Sequence, residues 1–109
     1  MAGVGTTVVF EDEKIKVWEF ELEPGEETPV HTHEHEYIFY VLDGTTLQVF
    51  DENKNDLGTL ELNDGDVVAL HLDKDELVLR DDPSYRIPAT HSAKNVGPGR
   101  YREMLIETK

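Results

Sequence analysis

The stretch from Pro24 to Gly44, PGEETPVHTHEHEYIFYVLDG, sets His31, His33 and His35 at alternate positions between a Pro-Gly turn signal and an unbroken β-prone apolar run. An extended chain points residues i and i+2 to one face, so at least two of these imidazoles can converge on one point inside a sheet protein. A strand advances ~3.3 Å per residue, which starts such side chains ~6.6 Å apart, near enough to lean together around an ion with metal–nitrogen bonds of ~2.0–2.1 Å. His31 and His35 lie twice as far apart and join one ion only if the chain bends. A further ligand has to come from elsewhere, and the only other histidines are His71 and His91. The plainer alternative is a polar, partly exposed strand end. Alternating histidines between a turn and a core strand favour the metal site over it.

Outward from this stretch, turn signals recur at close intervals: Asp43-Gly44, Asn53 to Gly58, Asn63 to Asp66, Asp81 to Ser84 and Gly97-Pro98-Gly99. The segments between them are rich in Val, Ile, Leu, Tyr and Phe, which suit a pleated surface. The expected strands are Thr7 to Phe10, Lys14 to Leu22, Val30 to His33, Tyr37 to Leu42, Thr45 to Asp51, Gly58 to Leu62, Val67 to Leu72, Glu76 to Arg80, Tyr85 to Ile87, His91 to Asn95 and Arg100 to Glu107. No helix of three turns is evident. Many short strands at this spacing predict an all-β sandwich or barrel.

In Lys14 to Leu22 the alternation slips by one residue, from Ile15 and Val17 to Trp18, Phe20 and Leu22. Either a β-bulge lies near Val17 and Trp18, or both faces are covered, with Trp18 meeting a second subunit. The run Tyr37 to Leu42 also lacks alternation and reads as covered on both faces, by a homodimer partner or by an N-terminal strand of the same chain. The last segment alternates more cleanly. Tyr101, Glu103, Leu105 and Glu107 share one face, and Arg102, Met104, Ile106 and Thr108 the other.

At 109 residues the chain suits one domain, residues 1–109, with a single core. Nothing approaches the ~18–20 consecutive apolar residues of a membrane span. The N-terminal MAGVGTTVVFEDEK lacks the basic start and apolar stretch of a secretory signal, so a cytoplasmic location is expected. Cysteine is absent, which excludes disulfides, thiolate metal sites and cysteine nucleophiles, and leaves nitrogen and oxygen as metal ligands. The net charge of −14, from 24 acidic and 10 basic residues, argues against nucleic-acid binding, which needs a cationic face. Most of these carboxylates read as a solubilising surface of an acidic protein.

These residues resemble the cupin superfamily, small β-barrels whose first motif runs Gly-x5-His-x-His, three or four residues, Glu, six residues and Gly. Gly25, His31, His33 and Gly44 match, while the motif's glutamate falls on Tyr37. The second motif, a Pro-x-Gly-x-x-His-x3-Asn pattern, is met by RIPATHSAKNVG through Pro88, His91 and Asn95, without its glycine and with a shortened link at Ala89-Thr90. Within the superfamily the chain looks most like small conserved-barrel cupins carrying His-x-His-x-x-acidic-Tyr, here His31, His33, Glu36 and Tyr37. Some such proteins are associated with β-alanine degradation. The resemblance implies a double-stranded β-helix, or jelly-roll barrel, with His31, His33 and His91 as ligands of one divalent transition metal ion on the inside. Fe, Mn, Ni and Zn all accept imidazole, and the sequence does not choose among them. With Tyr37 in place of the glutamate, a fourth protein ligand falls to Tyr37, His35 or Glu36, or water completes a three-histidine shell.

His71, in VVALHLD, rivals His91. Val68, Leu70 and Leu72 form the more apolar phase of that strand and are expected to face the core, which turns His71 outward. Ser92 follows His91 directly and points to the opposite face, against a serine–histidine pair. Gly97-Pro98-Gly99 reads as a turn rather than a phosphate loop. Glu34, Glu36, Tyr37 and Tyr40 are candidates for proton transfer, though Glu34 reads better as a surface carboxylate and Tyr40 as a core aromatic. Two functional classes follow: a small metalloenzyme acting on a small organic acid by dioxygenase, isomerase or lyase chemistry, or a non-catalytic metal-dependent module that binds or senses a small molecule in the barrel. A third, weaker possibility keeps the barrel with vestigial histidines.

Overall fold

The computed structural model describes residues 4–109. The first three residues, which open both the domain boundary drawn at residue 1 and the stretch read for a secretory signal, lie outside the described residues. Eleven strands follow in order: β1 (Thr7–Glu11), β2 (Ile15–Leu22), β3 (His31–Thr32), β4 (Tyr37–Asp43), β5 (Thr46–Asp51), β6 (Asp56–Glu61), β7 (Val67–Asp73), β8 (Glu76–Leu79), β9 (Arg86–Pro88), β10 (Thr90–Asn95) and β11 (Tyr101–Thr108). Each was expected from the sequence, with ends displaced by two residues at most. There is no helix among the described residues, and so none long and apolar enough to cross a membrane.

The strands form a seven-stranded sheet, β1-β2-β11-β4-β7-β8-β9, and a four-stranded sheet, β3-β10-β5-β6. Neighbours in both are antiparallel. This is an all-β double-stranded β-helix. The inner face of the larger sheet carries Trp18, Phe20 and Leu22 of β2, Tyr37, Phe39 and Val41 of β4, Tyr101, Glu103 and Leu105 of β11, and Leu70 of β7. Leu47 of β5, Leu62, Leu77, Ile87 and Ala89 join them in one core. Phe20 and Tyr101 meet edge to face at 5.9 Å between ring centroids. Each fully buried large apolar side chain contributes ~1.5–3 kcal/mol, which favours this register over one shifted by a residue.

The slip in Lys14 to Leu22 has a specific cause. Strand β2 stays in step with β11 from Leu22 opposite Tyr101 to Ile15 opposite Thr108, so β2 itself has no bulge there. The irregularity lies across from it in β1, where Val8 faces Trp18 and Phe10 faces Val17, leaving Val9 as the extra residue. Trp18 turns inward, and its Nε1 donates to Glu107 Oε1 at 2.6 Å. Strand β4 alternates in burial despite its uniform composition: Tyr37, Phe39 and Val41 are buried, and Tyr40 is 48% exposed on the outer face. Tyr40 is therefore not the core aromatic expected of it. Strand β1 extends the sheet at the edge of β2 and does not lie over β4.

Two residues of the first motif are explained by backbone geometry. Gly25 has φ of +86°, a left-handed conformation that suits glycine. At Gly44 a β-carbon would sit 2.2 Å from the Leu62 carbonyl oxygen, so only glycine permits that approach. Asn95 is fully buried and acts as a staple. Its Nδ2 donates to the carbonyls of Leu22 and Gly99 at 2.9 and 2.8 Å, and its Oδ1 accepts from the Gly97 amide at 3.0 Å. Asn95→Ala leaves these backbone groups without partners and is predicted to cost about 2–4 kcal/mol in urea unfolding, with native β circular dichroism retained.

Candidate metal centre

Strand β3 is two residues long, and its pairing with β10 sets His31 directly opposite His91 and Thr32 opposite Thr90. Directly opposed side chains leave their strands with β-carbons ~4.5–5.5 Å apart on one face, so two imidazoles 60 residues apart in sequence become immediate neighbours. His33, two residues on, returns to the same face, and its amide donates to the Ala89 carbonyl at 2.9 Å. The ring centroids stand 5.0 Å (His31–His33), 4.8 Å (His31–His91) and 5.0 Å (His33–His91) apart. One ring nitrogen from each lies within 4.8 Å of the others, and all three rings are buried.

Hydrogen bonds orient two of the rings. Nδ1–H of His31 donates to the Pro29 carbonyl at 3.1 Å and Nδ1–H of His91 to the Pro88 carbonyl at 2.7 Å, which leaves Nε2 of each as a lone-pair donor. Both acceptors belong to prolines, one before each histidine. Nδ1 of His33 is buried without a partner among the described residues. An unpartnered buried polar atom costs ~1–3 kcal/mol, which an ion bound among the rings would offset. Three neutral, pre-oriented imidazoles fit a divalent transition ion of borderline softness better than Ca²⁺ or Mg²⁺, which prefer oxygen.

Burial keeps the trio neutral. It pushes His33 down to about 2, with the charges of His91 and His31 adding to the effect. It pushes His91 down to about 4 against the opposing hydrogen bond to Pro88, and it lowers His31 as well. Tyr37, where the motif has glutamate, stacks on His33 with centroids 4.3 Å apart and planes 13° from parallel. Burial, helped by the negative charge of Glu103, raises its phenol well above the ordinary tyrosine value, so the ring stays protonated.

The other candidates fall away from the trio. His35 and Glu36 are exposed, with Glu36 3.7 Å from Arg80, because the two-residue β3 ends before them. Glu34 is exposed as expected. His71 lies half-buried on the outer face opposite Val78, while Val68, Leu70 and Leu72 take the inner phase. Ser92 turns away from His91, towards Glu27 and Lys54.

The trio opens onto a cavity of about 370 Å³ between the sheets, walled by apolar side chains such as Phe20, Phe39, Leu70 and Leu105. Glu103 also lines it, and sequence reasoning missed this residue as a site group. The signal was its position: a carboxylate sharing a strand face with Tyr101 and Leu105. It is 5% exposed, its Oε1 accepts from the Tyr101 hydroxyl at 2.6 Å, and burial pushes it up to about 8 against that hydrogen bond.

A closed pair of antiparallel sheets around an internal histidine trio defines a double-stranded β-helix protein with a pocket able to hold a metal ion. The Cupin domain family profile matches residues 18–70, the span that holds both first-motif histidines. A cupin domain from Bordetella pertussis Tohama I is similar in structure, with a TM-score of 0.68 at 23% identity over 94% of this chain and 90% of that one. The polyketide cyclase RemF from Streptomyces resistomycificus aligns at a TM-score of 0.54 and 21% identity, over 89% of this chain and 56% of that one. A sugar phosphate isomerase of the cupin superfamily from Silicibacter pomeroyi aligns at 0.53 and 17%, over 88% and 51%. These likenesses establish the fold. No curated protein matches the chain.

Because His33 and His91 are held below their ordinary value of 6.5, the folded metal-free protein binds fewer protons than the unfolded chain once pH drops under that value. Their contribution to stability is full above pH 6.5 and drains as pH falls towards 4 and below. Thermal melts of metal-free protein should show this acid loss, and His33→Gln should shrink it. An unchanged acid limb would contradict the buried neutral trio.

Proposed function

We propose that this chain is a small metal-dependent cupin in which His31, His33 and His91 hold one divalent transition ion, Fe, Mn, Ni or Zn, and that it acts as a metalloenzyme on a small organic acid by dioxygenase, isomerase or lyase chemistry. The observation that carries this reading is the convergence of three buried imidazoles, two with their tautomer set by proline carbonyls, at the wall of a cavity of about 370 Å³. Neutral nitrogen ligands leave the ion's charge uncompensated, which favours an anionic oxygen donor such as a carboxylate as the incoming group. When bound, such an ion supplies Lewis acidity, an activated water or, if redox-active, a site for oxygen. The chain's own side chains orient and enclose: Tyr37 holds the His33 ring by stacking, and the apolar walls exclude water.

A second reading, a non-catalytic metal-dependent binding or sensing module, draws support from Tyr37. This protic group stacked against the trio is held protonated by burial and does not serve as a base at neutral pH. We further propose a single domain over residues 1–109, a cytoplasmic location, and no nucleic-acid or membrane partner. The outer face of the larger sheet supports a homodimer: Phe10, Val17, Ile106 and Ile38 form one cross-strand row, with Tyr40 and Val67 paired beside it.

Metal analysis of untagged protein tests the site. About one ion per chain is expected in the wild type, falling at least roughly tenfold in His33→Ala and in His91→Ala. Wild-type protein that takes up none of Fe, Mn, Ni or Zn would overturn the proposal. Oxygen uptake or product formation by the loaded protein selects the enzyme, and ligand-induced stabilisation without product selects the binding module.

A further inference from the structure

The charged side chains on the cavity wall are all acidic: Glu61, Asp66, Asp81 and Glu103, with no lysine or arginine among the lining residues. Glu103 alone of these is buried. It pairs with Val41, whereas Tyr37, stacked on the trio, pairs with Glu107. Four residues of strand separate these rows, ~13 Å of backbone. Glu103 and Tyr37 thus lie on different rows of the inner face, with the Phe39–Leu105 pair between them. Its Oε1 takes the Tyr101 hydroxyl, and no other protein group among the described residues donates to this carboxyl. An isolated carboxyl in such a setting is costly to bury and is matched by a donor brought from outside. An anion would meet only acidic groups at this end, and a purely apolar ligand would leave the carboxyl unanswered. A cation answers it, and the ring of Phe20, directly opposite Glu103 in the β2–β11 pairing, adds a favourable aromatic face.

We infer that Glu103, positioned by Tyr101, is the recognition site for an ammonium group, so that the cavity takes a small aliphatic amine. The identity of the ligand's other end, an oxygen donor for the metal, rests on the function proposed above; the ammonium end does not. The ionisable groups acting with Glu103 are Tyr101 on its own strand and Tyr37 on β4, with Asp66 beyond Tyr101 and Tyr85 elsewhere on the cavity wall, and none of them is a cation. Without a ligand, burial holds Glu103 up to about 8, so at neutral pH it carries its proton. Binding of R–NH3⁺ to the carboxylate then expels that proton to solvent: the O–H bond breaks, and the electron pair stays on the oxygen that faces the ammonium.

Propylammonium and propanol, matched in size, test this with metal-free protein by calorimetry in buffers of different ionisation enthalpy. Propylammonium is expected to bind at least roughly tenfold tighter than propanol, with release of a proton at neutral pH. Glu103→Gln, which keeps the shape and the acceptor for Tyr101, should reduce it to the level of propanol, whereas His71→Ala, on the outer face of β7, should leave it unchanged. Equal binding of the two probes, undiminished propylammonium binding in Glu103→Gln, or binding without proton release would each overturn the assignment; the proton count is read on wild-type protein and does not depend on the variant folding. With metal-loaded protein, straight-chain ω-amino acids should bind tighter than the matched monocarboxylates. If metal adds nothing to their binding while propylammonium still depends on Glu103, the metal reading fails and the ammonium site stands.

Discussion

The antiparallel pairing of β3 with β10 is the constraint on which the site depends. It is a short contact: two residue pairs, His31 with His91 and Thr32 with Thr90, the second joined by a hydroxyl–hydroxyl hydrogen bond of 2.9 Å. Flanking bonds hold the register, from the His33 amide to Ala89, and from the Glu27–Lys94 bridge. Because side chains alternate across a strand, a slip of one residue would turn His31 out of the barrel while His91 stayed in. The long β2–β11–β4 ladder supplies stability, but this small pairing supplies the geometry.

The strands were legible because their composition and turn signals act locally: β-branched and aromatic runs end at Gly, Asn, Asp and Pro, whose backbone preferences do not depend on the rest of the chain. The closeness of His31 and His33 was legible for the same reason, being a matter of the two-residue period. The place of His91 was not local. Residue reading left His71 as its rival, the inner phase of β7 argued against His71, and the resemblance pointed to His91. Register between distant strands is set by tertiary packing, and no spacing in the sequence encodes it. The same limit hid the bulge, which sits in β1 although the slipped pattern appears in β2. It also hid the exposure of Tyr40, since an apolar side chain on an outer face looks the same in sequence as one in the core.

The two buried glutamates of β11 separate structural from site chemistry. Glu107 receives the indole N–H of Trp18 at 2.6 Å and Glu103 the phenol of Tyr101 at the same distance, so each has a single side-chain donor. Only Glu103 lines the cavity onto which the trio opens. Glu107 is one partner of a pair that fastens β11 to β2, outside the cavity the trio opens onto. Glu103 keeps hydrogen-bonding capacity that the protein does not fill.

Tyr37 ties the two ends of the barrel interior together. A carboxylate at this position would lie beside the histidines, neutralise part of the charge of a bound ion and share the cavity with Glu103; two carboxyls in so small a low-dielectric space raise each other's affinity for protons. A phenol that stays protonated removes both effects. The trio remains an all-nitrogen, neutral donor set, which makes an ion held there more attractive to an anionic ligand group, and Glu103 remains the one buried carboxyl on the cavity wall. A cation held among the three imidazoles, as proposed above, would make the pocket positive there while its other charged lining groups, Glu103 among them, are acidic. The replacement of the first motif's glutamate by Tyr37 would thus leave Glu103 as the one buried carboxyl to meet a ligand in this pocket.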